Sequence, residues 1–275
     1  MIKTIVFNGG LGNQMFQYAF YLKLKELFPR TVFLFDISKS QICHNGYELD
    51  KVFNIDSLKQ TRNYRYLERY FAWLFIFFRN VTHPSGFHFH EEILTNTGLF
   101  VKYEGYWQTE KYFIDIKDTI YAAFSFRTNN LSNNSIKLSN ELRKGNHVSV
   151  HVRRGDYLST GFYGPCTLAY YKKAIDFFQK IDSHFSFVFF SDDIEWVKEN
   201  IKIDNGIYVT WNKRENSWQD MYLMSICSHN IIANSSFSWW GAWMNKNPHK
   251  IVVAPHIWFE SCPKYDILPS SWIPM

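Results

Sequence analysis

Residues 231–243 (IIANSSFSWWGAW) join an apolar strand to a polar turn and then to an aromatic run that suits a helix. The turn carries Ser235, Ser236, Phe237 and Ser238 at the point where that helix would begin. The first N–H groups of a helix have no acceptor within it, and the helix dipole adds positive charge there, so such a start can bind phosphate. The alternative is a serine-capped helix with its tryptophans in the core.

A second strand, residues 147–152 (HVSVHV), runs into a turn that contains Arg153 and Arg154. The alternation of valine with polar residues puts His151 and Arg153 on one face near the strand's carboxyl end, where α/β sheets bind ligands. A guanidinium there can hold a diphosphate through two hydrogen bonds, and its charge does not titrate. The alternative is an ion pair between Arg154 and Asp156, with His151 as a core residue.

A third strand, residues 185–190, is followed by Asp192 and Asp193. A carboxylate here could accept hydrogen bonds from guanine or from ribose hydroxyls. It could equally cap the helix that begins at Ile194, or hold a metal ion. Because arginines are available for the phosphate charge, we rank metal binding third.

The turn GGLGNQ, residues 9–14, follows the first strand and opens a helix, as phosphate-binding turns do. The second strand ends near Asp36, where a dinucleotide fold has its ribose ligand, so a nicotinamide-dependent oxidoreductase is a rival hypothesis. Met15 disfavours it, because it stands where a third glycine would permit close helix packing. The amides of Asn13 and Gln14 are better suited to hydroxyls or a phosphate.

Tyr106, Trp107 and Gln108 combine aromatic rings with an amide. An exposed surface of this kind suits a sugar acceptor, and core packing is the alternative. The high aromatic content, 19%, also admits a non-catalytic carbohydrate-binding protein. Such a protein has no need of arginines and phosphate-type turns at three strand ends, so we favour an enzyme.

The elements that position these residues alternate between strands and helices, which is typical of parallel sheets covered by helices. The predicted strands are 4–7, 31–35, 148–152, 185–190, 231–233 and 250–253, and the predicted helices are 13–27, 168–181, 194–201 and 218–227. The polar run 127–135 (RTNNLSNNS) reads as a linker. We therefore predict two domains, residues 1–135 and 136–275.

Composition narrows the class of ligand. The net charge of +5 mildly favours anions but includes no polybasic run, which argues against a nucleic-acid surface. Four widely spaced cysteines lack zinc-ligand spacing and favour reduced thiols. We expect no signal peptide, because the chain opens on a strand, and the apolar run 70–78 is too short to span a bilayer. A buried helix is expected there, with contact to a membrane surface as the alternative.

Five segments together resemble the bacterial α-1,2-fucosyltransferases of glycosyltransferase family 11. They are GGLGNQMFQYA (9–19), GYWQTEKYF (105–113), HVRRGDY (151–157), FSDD (190–193) and IIANSSFSWWGAW (231–243). The resemblance implies an α/β fold of the GT-B type, with two Rossmann-like domains that face a cleft. The first domain would lie on the acceptor side and the second would bind the donor.

The resemblance also implies a reaction. L-Fucose would pass from GDP-fucose to the 2-hydroxyl of a galactose-containing oligosaccharide, with inversion at the anomeric carbon and without a metal. Another nucleotide sugar on the same architecture is the alternative. A cytoplasmic location, with peripheral membrane contact left open, would follow from the lack of the N-terminal anchor that animal relatives carry.

Residue roles carry over motif by motif. Arg153 would contact the β-phosphate with His151 beside it, and Asp192 or Asp193 would be the base or a ribose contact. The reaction itself also calls for a general base, for which Asp156 is the nearest carboxylate of these motifs, with Glu104 or the leaving phosphate as alternatives. The donor-binding set is Asn13, Gln14, Arg153, Arg154, Asp192, Asp193, Ser235, Ser236, Phe237 and Ser238, and the acceptor set is Tyr106, Trp107 and Gln108.

Overall fold

The computed structural model describes residues 1–42, 44–55, 79–82, 87–158, 164–204, 206–259 and 265–275. The chain forms two compact units. Unit 1 comprises Met1–Arg127 with Lys264–Ile267, and unit 2 comprises Thr128–Pro263 with Leu268–Met275.

Unit 1 is built on a parallel sheet of four strands in the order β2-β1-β4-β3. Its strands are β1 (Ile2–Val6), β2 (Val32–Asp36), β3 (Arg79–Thr82) and β4 (Phe100–Glu104). Its described α-helices are α1 (Leu11–Leu27), α2 (Leu49–Val52), α3 (Glu91–Leu94) and α4 (Lys117–Ala123). The buried face of α1 includes Phe20, whose ring stacks on that of Trp107 at 4.3 Å, so aromatic packing links α1 to the loop after β4.

Unit 2 has a six-stranded sheet in the order β10-β9-β8-β5-β6-β7, and its described strand pairs are all parallel. The strands are β5 (His147–Val152), β6 (Ser186–Ser191), β7 (Gly206–Val209), β8 (His229–Ile231), β9 (Val252–Ala254) and β10 (Ile273–Pro274). The helices are α5 (Asn133–Leu142), α6 (Leu168–Ile181), α7 (Ile194–Asn200), α8 (Trp218–Ser225) and α9 (Ser236–Trp243).

The central strand β5 is buried along its whole length. Val148, Val150 and Val152 enter a core cluster with residues of α6 and α7. The polar residues between them are buried on the opposite face, where Asn230 donates a hydrogen bond from Nδ2 to Ser149 Oγ at 2.7 Å. A parallel sheet with helices on both faces buries both sides of its central strands.

The prediction that residues 127–135 form a linker is wrong for residues 133–135, which are helical. Ser132 caps α5, because its Oγ accepts a hydrogen bond from Ser135 N at 3.2 Å, and helix begins at Asn133. Short polar residues are favoured both in linkers and at helix N-caps, and the sequence pattern did not separate the two. The units divide between Arg127 and Thr128 rather than after residue 135.

Other predicted elements differ at their ends or went unrecognised. β8 ends at Ile231 instead of beginning there, so Ile232 and Ala233 belong to the turn that leads to α9. β3, β4 and α4 had no predicted counterpart. The apolar run 70–78 lies outside the described residues. Within the described part of the chain, no helix is long and apolar enough to cross a bilayer.

Candidate active site

Two of the phosphate-type turns of unit 2 lie side by side. β5 and β8 are neighbouring parallel strands in which Val150 is opposite Ile231. Three residues further along the chain from each are Arg153, in the turn after β5, and Asn234, in the turn after β8. Since adjacent strands are about 4.8 Å apart, the arginine turn and the start of α9 share one edge of the sheet.

The start of α9 offers hydrogen-bond donors. Ser235 is its N-cap, and its Oγ accepts a hydrogen bond from Phe237 N at 3.3 Å. The N–H groups of Ser236 and Ser238 belong to the first turn, where a helix supplies no acceptor. Ser236 and Phe237 are half-buried, so this end can be reached by a ligand. The start of α9 therefore presents backbone donors, and phosphate binding at this turn stays a prediction.

The hydroxyl of Ser238 has a different part from the one predicted. This residue is fully buried, and its Oγ donates to the carbonyl oxygens of Ala233 and Ser235 at 3.3 Å each. Its side chain stabilises the turn, and only its backbone N–H belongs to the donor set at the helix start.

Asn234 organises this turn and was absent from the predicted site. Its Nδ2 donates to the carbonyl oxygens of Gly164 and Trp258 at 2.9 and 3.1 Å, and its own carbonyl accepts from the Tyr157 hydroxyl at 3.2 Å. The last bond joins the turn after β8 to the turn after β5. An asparagine immediately before a helix cap was the available signal.

Arg153 extends from the end of β5 to the turn after β6. Its Nη1 lies 3.1 Å from Asp192 Oδ2, and its guanidinium carbon lies 5.5 Å from the centre of the Tyr157 ring. The arginine and aspartate side chains are each 26% exposed, so solvent reaches both partners of the ion pair.

Arg154 is held by protein groups instead. Its Nε lies 3.2 Å from Asp193 Oδ2, and its guanidinium lies over the ring of Trp196 at 3.9 Å. Asp193 also caps α7, since its Oδ1 accepts from Trp196 N at 3.3 Å. The described partner of Arg154 is thus Asp193, and the alternative pairing with Asp156 stays untested because the Asp156 side chain lies outside the described part of the structure. These contacts favour a structural role for Arg154 and Asp193 over the predicted contact with the donor.

His151 lies on β5, two residues before Arg153. The side chain is buried at 6% exposure, and Nδ1 has no hydrogen-bond partner among the described residues. Burial, assisted by the positive charge of Arg153, lowers the pKa of His151 to about 3. The imidazole is therefore neutral near pH 7. Any part it takes in the reaction is that of a neutral hydrogen-bonding group.

Asp156, the predicted base, begins a 3-10 turn that extends to Leu158. Its side chain lies outside the described part of the structure, and its catalytic role stays a prediction.

A polar pocket of about 220 Å³ lies beyond the end of β7 in unit 2. It is lined by Asn130, Ser132, Asn134, Trp211, Asn212, Asn216 and Gln219. Hydrogen bonds connect its walls, since Trp211 Nε1 donates to Ser135 Oγ at 3.0 Å and Asn212 Nδ2 donates to Asp220 Oδ1 at 2.8 Å. Burial raises the pKa of Asp220 to about 8, and the hydrogen bond from Asn212 opposes this shift.

Unit 1 contains the two amide side chains predicted to contact the donor; that of Gln14 has a structural role, and that of Asn13 is accessible. Gln14 is fully buried, and its Nε2 donates to the carbonyl oxygens of Gly9 and Gly46 at 2.9 and 2.8 Å. The prediction that it contacts the donor is wrong, because the amide is committed to shaping the turn. Asn13 is half-buried, and its Oδ1 accepts from Gln108 Nε2 at 2.7 Å.

The predicted acceptor residues follow β4, the neighbour of β1. Trp107 is fully buried in aromatic packing, so the prediction that it offers an exposed sugar-binding face is wrong. Tyr106 is half-buried, and its hydroxyl lies 3.5 Å from Asn8 Nδ2. Of the predicted residues at this edge, Asn13 and Tyr106 are accessible and Gln108 is mostly buried.

Two further carboxylates end strands of unit 1. Glu104, the alternative base, forms an ion pair with Lys39 at the end of β4. Asp36 accepts hydrogen bonds from the N–H and the hydroxyl of Ser38 at 3.0 and 2.6 Å. Asp36 thereby caps its own turn, and no ribose contact is needed to explain its position.

Two α/β units with parallel sheets, each with polar turns at the strand ends, define the fold class of GT-B glycosyltransferases. The fold is shared with fucosyltransferase NodZ from Bradyrhizobium, with a TM-score of 0.56, 12% identity, and coverage of 87% of this chain and 90% of that one. NodZ α-1,6-fucosyltransferase co-crystallised with GDP gives a TM-score of 0.55 at 12% identity, covering 87% and 91% of the two chains.

The chain belongs to glycosyltransferase family 11, whose family model matches residues 1–273. An α-1,2-colitosyltransferase from Escherichia coli is 33% identical, over 96% of both chains. The O-antigen biosynthesis glycosyltransferase WbnK from Escherichia coli is 31% identical, over 97% of this chain and 98% of that one. Human galactoside α-(1,2)-fucosyltransferase 1 is 26% identical, over 88% and 65%. The rival oxidoreductase and binding-protein hypotheses are set aside, since the family is one of glycosyltransferases.

Proposed function

We propose that this glycosyltransferase moves L-fucose from GDP-fucose to the 2-hydroxyl of a galactoside, forming an α-1,2 linkage. The observation that carries the proposal is the placement of Arg153 and the start of α9 at adjacent strand ends of unit 2. The relatives support the linkage, because two of those described above are named as α-1,2 transferases.

The proposed reaction requires that the departing diphosphate be stabilised. In an inverting displacement, positive charge develops on the sugar ring while negative charge develops on the leaving GDP. Arg153 and the first N–H groups of α9 would stabilise the negative charge on the leaving GDP from the positions that they already occupy. One preorganised donor of this kind is worth about 3–4 kcal/mol of barrier in other enzymes, or roughly 10²–10³ in turnover. We therefore propose a metal-free reaction in which these groups stabilise the leaving diphosphate.

The acceptor would be held by unit 1, where Asn13 and Tyr106 offer accessible polar groups. Its 2-hydroxyl needs a proton acceptor as the bond to the sugar forms. Asp156 is our first candidate, with Glu104 and the leaving phosphate as alternatives.

A colitosyl donor is the second candidate function. It is favoured by one observation, the 33% identity to an α-1,2-colitosyltransferase over 96% of this chain. The residues of the leaving-group site would act in the same way with either sugar, so the distinction rests on contacts to the sugar itself.

The test is a donor panel assayed in EDTA. The purified protein is incubated with GDP-fucose, the colitosyl nucleotide or UDP-galactose, with lactose as acceptor, and both released nucleotide and product linkage by NMR are measured. We expect an α-1,2-fucosylated product from GDP-fucose, and none from a 2-deoxygalactoside acceptor. Preference for the colitosyl nucleotide would select the second candidate. Transfer only from UDP-galactose would refute both, and dependence on an added metal would refute the metal-free reaction.

A further inference from the structure

Asp192 occupies an anion-binding cradle made by the turn after β5. Its Oδ1 accepts the backbone N–H of Arg154 at 3.0 Å, and its Oδ2 lies 3.1 Å from Arg153 Nη1. The carboxylate also lies against the backbone of Gly155, where an added Cβ would be 2.6 Å from Oδ2. The Asp192 carboxylate thus binds both the backbone N–H of Arg154 and the guanidinium of Arg153, and the lack of a side chain at Gly155 gives it the space to do so.

The same pair of donors suits a phosphate oxygen. Phosphate groups are bound in proteins by turn N–H groups and by arginine, usually together. The ion pair between Arg153 and Asp192 is partly exposed on both sides, so an anion in solution can reach it. A diphosphate carries more charge than a carboxylate and can engage the guanidinium with two oxygens.

The neighbouring arginine shows the contrast. Arg154 is fixed by Asp193 and by the face of Trp196, and Asp193 is itself fixed as the cap of α7. Arg153 is instead paired with Asp192, and both of these side chains are partly exposed to solvent. One arginine therefore braces the turn, and the other has a partner that can be exchanged.

We propose that Asp192 is an internal counter-ion that holds Arg153 in place in the empty enzyme and that the donor's diphosphate displaces. This inference rests on the proposed function for the identity of the donor. Asp192 then has no contact with guanine or ribose, which differs from the role that the sequence suggested. It is a positioning residue that acts through Arg153, and it competes with the nucleotide before binding and after transfer.

Competition between Asp192 and a diphosphate for Arg153 predicts the direction in which a substitution of Asp192 changes diphosphate affinity. Asp192→Asn keeps an oxygen that can accept the N–H of Arg154 but removes the charge that competes for Arg153. Diphosphates should therefore bind more tightly, by roughly tenfold, which is within the usual range of coupling between linked binding events. The KM for the donor should fall and product inhibition by GDP should strengthen. Turnover should not rise, because product release gains no help from the neutral side chain.

The experiment is calorimetry with inorganic pyrophosphate, GDP and UDP on the full chain in EDTA. Asp176→Asn is the matched control, because it removes one negative charge from an exposed position on α6. Tighter pyrophosphate and GDP binding by Asp192→Asn, but not by Asp176→Asn, is the expected result. In an Arg153→Ala background, Asp192→Asn should add nothing. If Asp192→Asn does not fold, Asp192→Ser serves the same purpose.

The remaining outcomes separate the inference from the proposed function. Unchanged or weaker pyrophosphate binding by Asp192→Asn overturns the inference, and so does weaker binding of GDP alone, which would indicate a base contact. Absence of diphosphate binding to either protein also overturns it. If Asp192→Asn tightens pyrophosphate binding while neither protein prefers GDP to UDP, the role of Asp192 as a counter-ion is supported and the proposed GDP-linked donor is refuted.

Discussion

The two adjacent arginines should respond to alanine substitution in opposite ways. Arg153→Ala removes a group that the proposed function assigns to the leaving diphosphate, whereas Arg154→Ala removes a brace between the turn after β5 and the start of α7. The residues share type, charge and neighbourhood, so each variant serves as the control for the other.

The magnitudes follow from the contacts. For Arg154, a guanidinium 3.9 Å from the Trp196 ring and 18% exposed suggests about 1 kcal/mol from the cation–π contact. The pair with the 37% exposed Asp193 adds about 0–1 kcal/mol after allowance for solvent screening. The sum, about 1–2 kcal/mol, should lower Tm by roughly 3–6 °C. For Arg153, loss of one charged donor to the leaving group should reduce kcat by roughly 10²–10³.

The assay combines thermal unfolding with steady-state kinetics on each variant. Arg153→Ala should lower Tm less than Arg154→Ala, because its guanidinium is more exposed and lies farther from its aromatic ring, but it should lose turnover. Arg153→Lys should recover only part of the turnover, because an ammonium does not reproduce the guanidinium fork. Arg154→Ala should lose stability and retain most of the turnover per folded molecule. The reverse pattern, with Arg154→Ala inactive but stable and Arg153→Ala active, would refute the assignment.

Four further substitutions test other parts of the protein. Asp156→Asn should preserve GDP affinity and reduce transfer by about 10²–10⁴ if Asp156 is the base; a parallel loss of GDP affinity would show that it holds the turn instead. Asp220 has a folded-state pKa of about 8, above that of the unfolded chain, so the folded state keeps a proton that the unfolded state releases as pH rises. The contribution of Asp220 to stability should therefore fall between about pH 4 and 8, by up to about 1.4 kcal/mol per unit, while His151, whose pKa is lowered on folding, contributes an opposite slope below about pH 6.5. Denaturant unfolding across that range should show a more positive slope of stability against pH for Asp220→Asn than for wild type; equal slopes would contradict the raised pKa of Asp220. Trp107→Ala should cost about 3–5 kcal/mol in denaturant unfolding, whereas Tyr106→Phe should leave stability unchanged and raise only the acceptor KM; a stable Trp107→Ala with a raised acceptor KM would restore the acceptor role.

Local patterns were sufficient where structure is determined locally. The helix Leu168–Ile181 was predicted with its observed bounds, because Thr167 caps it and its apolar residues recur at helical spacing. Ser235 at the start of α9 was also recognised, since a serine after an apolar strand is a strong N-cap signal. The family and the GT-B fold followed from motifs that span most of the chain.

The errors concern residues whose surroundings are set by distant parts of the chain. Nothing near Trp107 in sequence indicates that its ring stacks on Phe20. Arg154 pairs with Asp193, thirty-nine positions away, which the sequence near Arg154 did not indicate. Gln14 appeared suited to a ligand because one of its backbone partners, Gly46, is thirty-two positions away and is brought to it only by folding.

The most direct test of the central claim is a crystal structure of the protein with GDP. The account predicts the β-phosphate within hydrogen-bond distance of the Arg153 guanidinium and of the N–H groups of Ser236 or Ser238, with Asp192 no longer paired to Arg153. A GDP molecule bound without contact to Arg153 or to the start of α9 would contradict it.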